Sequence, residues 1–173
     1  MDSSKNFKTQ DPLAVANYVI KKAISEGAPV TNLKLQKVLF FLQAAFIVEF
    51  NAPIMDTKFS RWPFGPVSKD VYYSFKDNGS GEIRDEAQTI DFSDFNILTP
   101  RIKLDDIYMD KIGEYTTKLL KYPTWKLVQK THEQSLWSDY EEDIKNFNAK
   151  DYTTEEIKEY FSSHSEDKLW QMN

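Results

Sequence analysis

The sequence predicts a mainly α, α+β domain. Compact helices surround one buried central helix at about 31–50, and a small two- or three-stranded antiparallel sheet accompanies them. Three observations lead there. The stretch TNLKLQKVLFFLQAAFIVEF, from Thr31 to Phe50, opens on two capping residues and turns apolar on every face from Val38 onward, interrupted only by Gln43 and Glu49. A helix of that kind must be buried, and the run falls short of the roughly 20 apolar residues that a bilayer crossing needs. Lys34 and Lys37 precede it closely, so it reads as a core helix with a wetter N-terminal third. Apolar stripes at helical spacing recur on either side of it. Alternation of polar and aromatic residues, the mark of a short strand, is clear at Thr57 to Trp62.

The 173 residues suffice for one domain, or one domain with an appended arm. An apolar content of 40% with 14% aromatics is too rich for a disordered chain, and a mean hydropathy of -0.58 argues against a membrane protein. There is no cysteine, which excludes disulfides, thiol catalysis, iron–sulfur clusters and cysteine-based zinc sites. The first ten residues, MDSSKNFKTQ, lack an apolar signal core; they are expected to be flexible, and no export is expected. Net charge is -5, and residues 138–173 hold ten acidic against four basic side chains. Neither part has the basic surplus that nucleic-acid binding requires.

Taken in order, Asp11 caps a first helix with Pro12 at its first position; Leu13, Ala16, Ile20, Ala23 and Ile24 form its stripe, and Gly27 ends it. After the central helix and the Thr57 strand comes Pro63-Phe64-Gly65-Pro66, a stiff loop in which Gly65 supplies the positive φ that Phe64 would resist. Pro66 is expected to open the next helix, with Val67, Val71 and Phe75 on one face up to Asn78-Gly79. Residues 82–84 and 101–104 are candidate strands to join the first, with an irregular excursion between them. Helices are expected at 105–121, 124–132, 135–147 and 153–161, followed by a tail that is either loose or docked through Leu169 and Trp170.

No catalytic motif of a strong kind is present. The only histidines, His132 and His164, show no metal-ligand spacing, and Gly79-Ser80-Gly81 lacks the rest of a phosphate loop. His132 is the one residue a catalytic scheme could use, as a general base near neutral pH; that reading requires a solvent-facing imidazole in a cleft. A histidine at a helix end more often holds carbonyls or an aromatic neighbour. Trp62, Phe64, Tyr72, Tyr73 and Tyr140 are the residue types that anchor protein interfaces, against the plainer reading of core packing.

Several of these pieces recur together in one known family. They are A-x-Y-V-I (Ala16, Tyr18, Val19, Ile20), T-N-L-K-L-Q-K (Thr31, Asn32, Leu33, Lys34, Leu35, Gln36, Lys37), W-x-x-G-P-V (Trp62, Gly65, Pro66, Val67), Tyr72, the helix end Phe75-Lys76 with Gly79, and T-H-x-x-x-x-W (Thr131, His132, Trp137). The set resembles the Panacea domain, the family of SocA-like antitoxins that also includes phage-associated GepA-type proteins. The resemblance covers about 11–140. Arg61, Pro63-Phe64 and the excursion at 85–100 depart from the family pattern.

The resemblance implies a Panacea-like domain over 11–147, with 148–173 an acidic helical arm and tail packed on it. It also implies a cytoplasmic protein without enzyme activity, cofactor or metal, acting as the antitoxin of a toxin–antitoxin pair by binding a cognate toxin protein directly. One branch of the family instead acts as an adaptor delivering the toxin to an AAA+ protease. The motif residues would be mainly scaffold, and the partner contacts are expected at Trp62, Phe64, Gly65, Pro66, Tyr73 and Tyr140. Neither nucleic acid nor membrane is expected as a partner.

Overall fold

The computed structural model describes residues 7–173. Its centre is α2 (Asn32–Phe50), in which every residue from Leu35 to Ile47 is buried. Thr31 caps it by accepting the Lys34 amide at 3.2 Å, and Asn51, at φ 56°, ends it in the left-handed conformation. The N-terminal third is wetter, as expected, on one side only: Leu33 is exposed and Lys34 half-buried, whereas Asn32, Gln36 and Lys37 are 4%, 1% and 0% exposed, because the segment at 65–75 covers the helix there.

Before it lies α1 (Pro12–Ser25), capped by Asp11, whose carboxylate accepts the Leu13 amide at 2.8 Å. Gly27 at φ 75° ends it, letting the Ala28 amide reach back to the Ala23 carbonyl. Residues 1–6 of the expected flexible segment lie outside the described residues. Phe7, however, is buried against Phe46, and the Gln10 amide bonds to the Ile54 carbonyl.

Strands β1 (Phe59–Trp62) and β2 (Gly65–Ser68) form an antiparallel hairpin in which Trp62 pairs with Gly65 across Pro63-Phe64. Pro66 therefore lies in a strand instead of opening a helix, and α3 (Lys69–Phe75) starts three residues later. Residues 82–84 and 101–104 do not join this hairpin. Glu82 makes only an isolated bridge to Thr31, and Lys103 binds the Gln10 side chain. The excursion folds on itself instead, into a second hairpin of β3 (Thr89–Asp91) and β4 (Asn96–Leu98).

The second half wraps the other side of α2 with α4 (Asp106–Leu120), α5 (Thr124–Glu133), α6 (Ser135–Ser138), α7 (Glu141–Lys145) and α8 (Thr154–Ser163). Where the sequence suggests one helix over 135–147 there are two short ones. Arg61 Nε donates to the Leu136 carbonyl at 2.7 Å, the acceptor that the Tyr140 amide would use in a continuous helix, and that amide turns to Trp137 instead. Thr153 and Glu156 complete a capping box on α8. The tail is docked: Leu169 and Trp170 are buried, and the indole donates to Glu49 at 3.2 Å. No helix among the described residues is long and apolar enough to cross a membrane.

Phe40 ties these layers together, its ring centroid lying 5.1 to 6.3 Å from those of Phe41, Phe59, Tyr152 and Phe161. Phe40→Ala is therefore expected to lower unfolding free energy by about 3–5 kcal/mol, read from the midpoint of urea denaturation at unchanged slope.

Candidate partner-binding surface

The first hairpin is held on α2 by a line of buried polar contacts. Asn32 Nδ2 donates to the Tyr72 carbonyl at 3.1 Å, and Gln36 Nε2 donates to Asn32 Oδ1 at 3.1 Å. Gln36 Oε1 in turn accepts the Ser68 amide at 2.9 Å. The next residue, Lys37, donates through Nζ to the Pro66 carbonyl at 3.0 Å with no exposed surface. Burial in this setting disfavours the charged ammonium and pushes Lys37 down to about 7.

Gly65, at φ 102°, lies directly on these groups. A Cβ there would stand 2.6 Å from Thr131 Oγ1 and 2.8 Å from Lys37 Cε, so the position has neither the dihedral nor the space for a side chain. From the other side, His132 Nε2 donates to the Pro63 carbonyl at 2.9 Å, the ring stacking on Trp137 at 4.0 Å. Trp137 Nε1 donates to the Trp62 carbonyl at 2.9 Å. Burial lowers the His132 pKa, opposed by the Pro63 carbonyl and Glu141 and reinforced by Lys37. The ring is half-buried and engaged through one nitrogen and one face. Among the described residues no group of three or more His, Cys, Asp or Glu could hold a metal ion.

Arg61 anchors the outer edge. Its side chain is fully buried between Tyr140 and Tyr152, with the guanidinium 3.7 and 4.2 Å from their ring centroids. It also donates to the Lys150 carbonyl and pairs with Glu156 at 3.2 Å. Burial raises the Glu156 carboxyl, but the Thr153 amide, the Tyr140 hydroxyl and Arg61 outweigh it and leave the pKa below its ordinary value.

This frame presents aromatic surface. Phe64 at the hairpin tip is 66% exposed and Tyr73 beside it 56%, with Trp62 edge-on to Tyr72 at 4.9 Å behind them. A groove of about 370 Å³ runs between Leu33, Trp62, Phe64 and Tyr72; a second, of about 410 Å³, runs between Trp62, Tyr73, Ile144 and Phe147. Of the residues expected to meet a partner, Gly65 and Pro66 are buried and only shape the turn, and Tyr140 is half covered by Arg61. Trp62, Phe64 and Tyr73 retain usable surface. Phe147, 92% exposed and at φ 58°, escapes a sequence reading that makes it the last residue of a helix over 135–147. Its one signal is the polar setting Lys-Asn-Phe-Asn, which fits no core stripe.

Asn32, Gln36, Lys37, Gly65, His132 and Trp137 of this frame belong to the motif quoted from the sequence, whereas Arg61, Tyr152 and Glu156 do not. The model of the antitoxin SocA-like Panacea domain matches residues 35–138, from the second turn of α2 to the end of α6. The chain belongs to this family. Antitoxin SocA of Caulobacter vibrioides (strain NA1000 / CB15N) is 42% identical over 76 residues, covering 41% of this chain and 40% of that protein. The match thus spans about two-fifths of the curated relative's length. No solved structure matches the chain. Within the Panacea span lie Leu35, Gln36, Lys37, Trp62, Gly65, Pro66, Val67, Tyr72, His132 and Trp137, whereas Thr31, Asn32 and Lys34 fall just ahead of it. The hydrogen bonds of this Panacea domain explain the polar members of the motif: they join α2, the hairpin and α5.

Two outcomes follow from the frame. Lys37 titrates at about 7 in the folded chain against an ordinary 10.5, so the unfolded chain binds more protons between those values. The cost of burying the ammonium is complete below about pH 7 and fades as pH rises. Stability should therefore increase by about 2 kcal/mol from pH 7 to pH 9. Lys37→Met should flatten that rise in denaturant titrations. Gly65→Ala should cost about 1–3 kcal/mol by the same measurement.

Proposed function

We propose that this protein is an antitoxin that binds a cognate toxin protein directly and covers its active surface, without catalysis of its own. Membership of the SocA-like Panacea family supports the reading, as does the similarity to Antitoxin SocA of Caulobacter vibrioides. The observation that carries it is the exposed aromatic tip of a clasped hairpin: Phe64 stands in water while the backbone on both sides of it is held by Lys37, Gln36, His132 and Trp137, and Tyr73 and Phe147 are exposed as well. Preorganised aromatics lose little entropy on binding and are the usual anchors of protein interfaces. His132 is spent on holding the hairpin, which favours binding over acid–base chemistry.

The test is expression of the neighbouring gene alone and together with this one. The neighbour is expected to arrest growth alone and to be harmless in this protein's presence, at unchanged abundance. A neighbour that is harmless alone, or lethal in both cases, refutes the reading, and a shortened toxin half-life assigns the adaptor role instead. Phe64→Ser with Phe147→Ser should weaken toxin binding by about 30-fold or more at an unchanged melting temperature, measured by calorimetry on the purified pair.

A further inference from the structure

The second hairpin, β3–β4, takes no part in the surface just described, yet it carries the densest exposed apolar cluster in the described chain. Ile90, Phe92, Phe95, Ile97 and Leu98 lie within nine residues, and Phe92 and Phe95 are 79% and 77% exposed. Ile90 is paired directly across from Ile97, so both project from the same face, with the two phenylalanines in the connecting turn. An isolated two-stranded hairpin is at best marginally stable in water, and one that offers its apolar face to solvent has nothing of its own to pack on.

The base of this arm is nonetheless fastened. Asn17, 1% exposed on α1, donates to the carbonyls of Ala87 and Pro100 at 3.0 and 3.2 Å and accepts the Ala87 amide at 2.7 Å, while Arg101 pairs with Glu86. One buried amide thus holds both ends of the excursion and sends the hairpin outward. Between Ala87 and Thr99 there is no lysine, arginine or proline, the residues that commonly keep exposed strands from associating.

We infer that the hairpin at 89–98 is a self-association arm, which packs its apolar face against the same hairpin of a second copy about a two-fold axis. The area points to that occupant. Ile90 and Ile97 with the two turn phenylalanines expose on the order of 500 Å², towards the top of the range for the largest patch on a monomer, whereas Leu98, paired with Thr89, lies on the other face. Doubled by symmetry this reaches about 1,000 Å², the least that a specific interface needs. The chemistry agrees, because the centre of the patch carries no charge and is matched by an identical uncharged patch. Asp91 and Asp94 sit towards the tip, and with the two hairpins antiparallel the acidic tips lie at opposite ends of the interface.

Sedimentation equilibrium on the full chain tests this. At about 100 μM the protein is expected to be a dimer that dissociates on dilution, as suits the micromolar affinity of a small interface. Ile97→Lys should weaken self-association by about 100-fold and Ile97→Val should retain it. Amide exchange at residues 96–98 of the unaltered protein should slow as concentration rises. A monomer at the highest concentration, a dimer indifferent to Ile97→Lys, or exchange independent of concentration each overturns the proposal. If the chain is monomeric and Ile97→Lys abolishes toxin neutralisation, the arm belongs to the toxin interface and self-association is refuted; loss of neutralisation in an intact dimer bears only on the antitoxin reading.

Discussion

The rest of the structure depends on one buried ammonium. Lys37 lies within the most enclosed helix among the described residues and donates a hydrogen bond to the carbonyl of Pro66. Placing a cation there opposes folding, and the buried hydrogen bond offsets part of that cost. The return is geometric. Lys37, Gln36 and Asn32 convert one face of a helix into a template for the backbone of β2 and α3, and Gly65 is the only residue that lets that backbone come close enough.

From this template the surface follows. With β2 fixed from inside, His132 and Trp137 fix the Trp62-Pro63 side of the turn from outside, and Arg61 joins the hairpin to α6, α7 and α8 through two carbonyls, one carboxylate and two aromatic rings. Phe64 and Tyr73 are left as protruding rings on a backbone with few alternatives. A binding protein benefits from that arrangement, since the ordering cost of the interface is met during folding. The same logic separates the two hairpins. The first is clasped by three helices, whereas the second is fastened only at its base by Asn17 and leaves its apolar residues in water.

Much of the fold is legible in local chemistry. The all-round apolar run of α2, the caps at Asp11 and Thr31, the stop at Gly27 and the capping box at Thr153 each have a short-range cause, and the helices form where those causes lie. The misplaced elements share a different cause. The interval from 135 to 147 has helical periodicity throughout, yet Arg61, more than seventy residues earlier, removes the carbonyl that continuity needs. Pro66 reads equally well as a helix start or as an edge-strand residue, and only the approach of Lys37 decides between them.

The sequence alone determined the family resemblance: the spacing of Thr31 to Lys37, Trp62 to Val67 and Thr131 to Trp137 carries it without any coordinates. The tertiary structure decided what they do. Hydrophobic periodicity reports burial along one element, and so it finds cores, but a hydrogen bond between distant segments leaves no periodic trace. For that reason the exposed ring of Phe147, the buried state of Lys37 and the projecting β3–β4 arm became visible only once α2, α5 and the hairpins stood side by side.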